Sequence, residues 1–140
     1  MKNLALLFFI VACMAGCTST YELAQPGEGF LSHWNTSVPS EVLQLKLDSQ
    51  GDYTSKGGDI TIMYRKGKYG PSWMLISTVG PEGNMVCTEL LIASTKMSYD
   101  HAVSIVEETA TRKSIKEGNL EFYMNRGGGG VSCNVSLTKA

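Results

Sequence analysis

From residue 42 onward, apolar side chains recur at every second position in one segment after another, and this alternation narrows the fold more than any other feature. Across Val42–Asp48, Leu43, Leu45 and Leu47 alternate with Gln44, Lys46 and Asp48, the pattern of a strand with one buried and one wet face. A second such segment runs from about Ile60 to Arg65, with Ile60, Ile62 and Tyr64 on one side. Trp73–Val79 is apolar on both faces and predicts a central strand, and Met85–Ala93, which carries Cys87, reads as a fourth. Near the end, Leu120, Phe122 and Met124, then Val131, Cys133, Val135 and Leu137, repeat the alternation. Ser49–Asp52, Lys56–Asp59 and Gly80–Asn84 supply turn residues between these runs.

One segment breaks the period. Tyr99, Val103, Val106 and Ala110 fall on a single helical stripe, with Ser98 as N-cap and Asp100 in the first turn. Arg112, Lys113 and Lys116 would fill its last turns and Gly118 would stop it. The predicted order is four strands, one helix and two strands. That is an α+β domain: an antiparallel, curled sheet of about six strands with one helix on its apolar face.

The N-terminus has a different logic. Lys2 precedes an apolar run from Leu4 to Val11, far shorter than the roughly 20 residues that span a bilayer. The run therefore reads as an export signal. It ends in Met14-Ala15-Gly16-Cys17, which resembles the lipobox of bacterial lipoproteins, with Met14 where Leu is commonest. The resemblance implies cleavage before Cys17 and lipidation of its thiol and new amine, hence a signal peptide over 1–16. Two or three acyl chains would hold a domain to a membrane where one holds only marginally. Thr18 in place of Asp favours, by the same resemblance, the outer membrane. Residues 17–29, rich in Ser, Thr, Pro and Gly, read as a lipidated flexible tether, and 30–140 as one globular domain. Phe30, Leu31 and Trp34 sit at helical spacing before Pro39 redirects the chain, a cluster suited to capping the core.

On that reading the mature chain has 124 residues, enough for one core and too few for two. It carries 11 basic against 13 acidic side chains, a net charge of −2 that argues against nucleic acid as a partner. Cys13 leaves with the signal and Cys17 is alkylated, so Cys87 and Cys133 are left to form a disulfide. The rival uses are a redox or a metal site. No Cys-x-x-Cys is present and neither cysteine has a histidine at ligand spacing, so no metal and no cofactor is expected.

Catalytic patterns are thin. There is no Gly-x-Ser-x-Gly elbow, and Glu107 and Glu108 are adjacent on the predicted helix and diverge. Only His33 and His101 could serve as a general base, and no catalytic residue is assigned. Gly127–Gly130 lies between strands and lacks a following helix, so it reads as a hairpin loop; anion capture with Arg126 is the alternative. The best candidate binding patch is the run containing Tyr64, Arg65, Lys66, Lys68, Tyr69 and Trp73, three cations and three aromatics at one hairpin. Its plainer account is a soluble turn with lysines guarding a sheet edge.

The function expected is that of a non-enzymatic lipoprotein, anchored to the outer membrane, whose small domain binds an envelope component or partner protein. Some pilotins, lipoproteins that chaperone secretion machines, are similar in architecture, with a sheet, one helix and a bridge. An inhibitor or an exclusion role fits equally. The alternatives are an envelope hydrolase acting on peptidoglycan or lipid, which needs a histidine and a carboxylate converging in a cleft, and a structural accessory subunit of an envelope complex.

Overall fold

The structure is a computed structural model that describes residues 19–68, 70–78 and 82–138. The lipobox with Cys17, and Tyr69 of the binding patch, lie outside the described residues. The chain forms α1 (Glu28–Ser37), a 3₁₀ turn (Glu41–Leu43), β1 (Leu45–Leu47), β2 (Tyr53–Ser55), β3 (Ile60–Gly67) and β4 (Gly70–Ser77). Then follow α2 (Gly83–Thr95), α3 (Tyr99–Glu108), β5 (Ser114–Glu117), β6 (Leu120–Gly127) and β7 (Gly130–Leu137). All neighbouring strands are antiparallel in one open sheet, ordered β1-β2-β3-β4-β7-β6-β5.

The alternation read from the sequence is the alternation of the sheet. Leu75 on β4, Cys133 on β7 and Met124 on β6 stand in one register row and are buried together. Trp73, Val135 and Phe122 form the next row. The helices lie over this inward face: Phe30 of α1 stacks on Trp73 with ring centroids 4.0 Å apart, and Cys87 of α2 is bonded to Cys133. Trp34 is fully buried, its indole N–H donating to the Leu43 carbonyl at 2.9 Å.

The architecture is thus α+β with a disulfide, as expected, but the described residues form seven strands and three α-helices where about six and one were predicted. The largest correction is Met85–Ala93, which is not a strand but most of α2. Val86, Cys87, Leu90 and Leu91 are all fully buried, which is the i, i+1, i+4, i+5 spacing of a helix sunk deep in the core. A short run that is apolar on all sides reads alike in either period. Gly83 permits the tight seat of α2: a Cβ there would lie 2.9 Å from the Val131 side chain.

The predicted helix after Ser98 exists, and the Ser98 hydroxyl accepts the His101 N–H. It ends at Glu108, well short of Lys116. The Arg126 guanidinium reaches back to the carbonyls of Val106 and Thr109, a long-range cap that no local pattern announces. Ser114–Glu117 is instead the edge strand β5, and Gly118, at φ +57°, turns the chain into β6. Tyr53–Ser55 adds β2, and the first predicted strand shrinks to Leu45–Leu47 behind the 3₁₀ turn.

The expected free leash is also corrected over its described part. The Tyr21 N–H donates to Asn119 Oδ1 at 2.7 Å, and Asn119 Nδ2 donates back to the Tyr21 carbonyl at 2.9 Å. The Ala24 N–H donates to the Ser94 carbonyl at 2.8 Å, and its own carbonyl accepts Trp73 Nε1 at 2.9 Å. Leu23 is buried between these ties, a contact that stabilises the attachment by about 2 kcal/mol. Pro- and Gly-rich composition signalled irregular backbone correctly, but irregular backbone need not be loose.

Candidate functional site

Half of every strand points away from the helices. Along the centre of the sheet, the outward positions run Met63 on β3, Met74 on β4, Asn134 on β7 and Tyr123 on β6 in one register row. The adjacent row carries Thr61, Ile76, Ser132 and Asn125, and the one on the other side Arg65, Ser72, Ser136 and Glu121. Among the described residues no helix covers this face. Met74, Ile76 and Tyr123 remain 39%, 46% and 40% exposed. Short polar side chains, Thr, Ser and Asn, surround them. The open face of a free-standing antiparallel sheet is normally polar throughout, so an apolar group at its middle is informative.

Two concavities bound the face. One, of about 370 Å³, lies where Lys68 and Gly70 meet Ser72, Glu121 and Ser136. The other, of about 250 Å³, lies where Ile76 and Thr78 meet Asn125, Gly128 and Ser132. The surface thus offers an apolar centre, hydrogen-bonding neighbours and a hollow at each end. That combination suits a protein segment laid across the strands.

The hairpin patch predicted from sequence is only partly assembled. Trp73 is completely buried, stacked on Phe30, 5.0 Å from the Tyr64 ring and tied to Ala24, so it has no surface to offer a ligand. Tyr64 is half-buried against it, with its hydroxyl 3.4 Å from Gln25 Oε1. Arg65 forms a two-pronged ion pair with the buried Asp52, at 2.8 and 3.2 Å, which holds the guanidinium more firmly protonated. Lys66 and Lys68 are exposed at the hairpin tip. Tyr64, Arg65 and Trp73 therefore do not converge with Lys66 and Lys68. Tyr64 and Trp73 anchor the hairpin inward.

The glycine run behaves as a hairpin. Gly127 pairs with Gly130, Gly128 and Gly129 take φ of +60° and +79°, and a Cβ at Gly130 would meet the Ser77 carbonyl at 2.5 Å. Arg126, the cation an anion site would need, is already committed to Asn84 Oδ1 at 2.9 and 3.2 Å and to the end of α3. Of the histidines, His33 is exposed and its neighbour Trp34 is core, so they form no stacking pair. His101 does meet a carboxylate. Its Nε2 lies 2.7 and 2.9 Å from the two oxygens of Glu117, beside a cleft of about 320 Å³ between α3 and β5. The Tyr21 hydroxyl stands 3.5 Å from the same nitrogen; burial, and then the charge of Glu117, raise the Tyr21 phenol above its ordinary range.

A separate carboxylate is out of place. Glu89 on α2 is buried, and among the described residues its Oε2 has no hydrogen-bond partner; burial pushes its carboxyl up, while the nearby His33 pulls it back. Among the described residues no three His, Cys, Asp or Glu side chains group to hold a metal ion. No helix of the described residues is long and apolar enough to cross a membrane. Met74, Ile76 and Tyr123 were not singled out from sequence. The signal was there in Trp73-Met74-Leu75-Ile76, four apolar residues in a row where a strand covered on one face would alternate; among the described residues the helices cover only one face of the sheet. Compared with family models, curated proteins and solved structures, the chain matches none of them.

Proposed function

We propose that this protein is a non-enzymatic, lipid-anchored binding module of the outer membrane whose uncovered sheet face takes a partner protein. The anchoring part rests on the lipobox-like run ending at Cys17 and on Thr18 after it. The binding part rests on one observation: Met74, Ile76 and Tyr123 stand exposed at the centre of a sheet face that no helix among the described residues covers. The polar residues interspersed among them suit a partner that comes and goes better than a permanent subunit, whose interface would be more continuously apolar.

Cross-linking in intact cells, identification of the captured protein, and rebinding of that purified partner in vitro test the reading. Ile76→Asp with Tyr123→Asp should weaken rebinding at least about tenfold, since both place a charge at the centre of the contact. Lys66→Ser with Lys68→Ser, at the hairpin tip, should change it far less. The reverse order of effects would return the site to the basic hairpin. Replacing Cys17 by Ser should release the protein from the membrane fraction with the domain still folded; unchanged attachment would remove the anchor.

One observation favours a second reading, an envelope hydrolase: His101 lies 2.7 Å from Glu117 in a cleft, the geometry such an enzyme needs for a general base. Against it stands the role this pair already serves in holding β5 to α3 beneath Tyr21. Release of peptidoglycan or lipid fragments by the purified domain, lost in His101→Gln, would support the hydrolase.

A further inference from the structure

The strap from Ser19 to Gly27 fixes where an N-terminal anchor must lie relative to the sheet. Ser19 is packed on the β5–β6 turn so closely that any side chain at Gly118 would collide with its carbonyl. The ties of Tyr21 to Asn119 and of Ala24 to Ser94 and Trp73 hold the rest, and the Gly27 N–H donates to the Tyr53 hydroxyl at 2.8 Å. The leash left between domain and lipid is therefore not the whole tether but the residues before Ser19. Cys17 is two residues away, so its Cα is within about 7 Å of that of Ser19.

The sheet has two distinct ends. Gly118 and Asn119 share one end with the C-terminal end of β7, since the Thr138 N–H donates to the Asn119 carbonyl at 2.6 Å, and with the β3–β4 hairpin, since Gly70 lies against the Leu137 carbonyl. The His101–Glu117 pair brings the start of α3 to the same end. The Gly127–Gly130 hairpin and the Lys56–Asp59 turn stand at the other, about 26 Å away along eight strand residues.

We propose that the end of the sheet bearing Gly118 and the β3–β4 hairpin rests on the lipid surface. The strands then stand along the membrane normal, and the open face looks sideways. The proposal rests on lipidation of Cys17. Lipid is the occupant because the chain length leaves no room for anything else between this end and the acyl chains. The charges at this end nearly balance: Lys66, Lys68, Lys96 and Lys116 stand against Glu22, Asp100, Glu117 and Glu121, which suits zwitterionic headgroups and does not demand anionic ones. Tyr99, 63% exposed at the start of α3, is placed as an interfacial aromatic. An open face held side-on in this way is presented to a partner standing beside the protein on the same membrane.

The test uses the lipid-bearing protein labelled with ¹⁵N-glycine, in phosphatidylcholine nanodiscs doped with a lipid that carries a paramagnetic headgroup. Amide signals of Gly67, Gly70 and Gly118 should be lost, while those of Gly57, Gly58 and Gly127 keep most of their intensity. Insertion of a flexible Gly/Ser linker of about 20 residues between Thr18 and Ser19, with a span of about 25 Å, should abolish the difference. Equal attenuation at both ends, selective loss at the Gly127 end, or a difference that survives the linker would each overturn the proposal. A protein that elutes apart from the discs removes the anchor and this proposal with it. A protein that co-elutes but broadens uniformly removes this proposal alone.

Discussion

Removal of the disulfide should expose how much of the fold depends on pinning α2 to the centre of the sheet. Cys87 and Cys133 are both buried, their Cα atoms are 6.0 Å apart, and 46 residues of sequence separate them. Closing a loop of that length lowers the entropy of the unfolded chain by an amount worth about 4 kcal/mol at 25 °C. Cys87→Ala with Cys133→Ala removes that constraint and leaves only a small void where two sulfurs packed. For a domain of this size, about 4 kcal/mol corresponds to a fall in melting temperature of roughly 12–20 °C. Urea denaturation followed by far-ultraviolet circular dichroism would read the same loss as a lower midpoint, with a steeper slope because the unlinked chain exposes more surface on unfolding. Reduction of the native protein should reproduce it. A loss below about 1 kcal/mol, or one that reduction does not match, would refute the reasoning, because the bridge would then not be what restrains the unfolded chain.

Two further perturbations address single side chains. Glu89 has a folded-state carboxyl raised by burial, so the folded protein binds its proton more tightly than the unfolded chain does, and stability falls as pH rises above the ordinary carboxylate range. Glu89→Gln should therefore be more stable than the native protein at neutral pH and lose that advantage in acid; melting curves at several pH values check the crossover. Arg126→Ala should cost about 1–2 kcal/mol by stripping the cap from the end of α3, and Arg126→Lys should restore only part, since an ammonium cannot span Asn84 and both carbonyls. Hydrogen exchange at the last turn of α3 would show the loss locally.

Strands with one buried face were legible, since β3, β4, β6 and β7 keep the period-two rule that their covered face imposes. The Cys87–Cys133 bridge followed from counting cysteines, although the element carrying Cys87 was misread. What escaped was decided at a distance. α2 is buried on nearly every side, so its sequence lost the polar face that marks a helix. The edge strand β5, half-exposed and partly charged, takes its conformation from pairing with β6. The strap over 19–27 depends on Asn119 and Ser94, far along the chain. The same blindness affected the site. Trp73 looked like a ligand-stacking aromatic because it neighbours lysines in sequence, whereas strand alternation sends it inward and its neighbour Met74 outward.

Site-specific photo-cross-linking in intact cells tests the central claim most directly. A photoreactive side chain placed at Met74, Ile76 or Tyr123 should give one discrete adduct. The same group at Glu107, exposed on α3 on the opposite side of the molecule, should give none. Tyr123→Asp should erase the adduct at Ile76 while leaving the melting temperature unchanged. Adducts of equal yield from Glu107, or from the Lys66 hairpin and not from the sheet centre, would contradict the assignment of the open face as the partner surface.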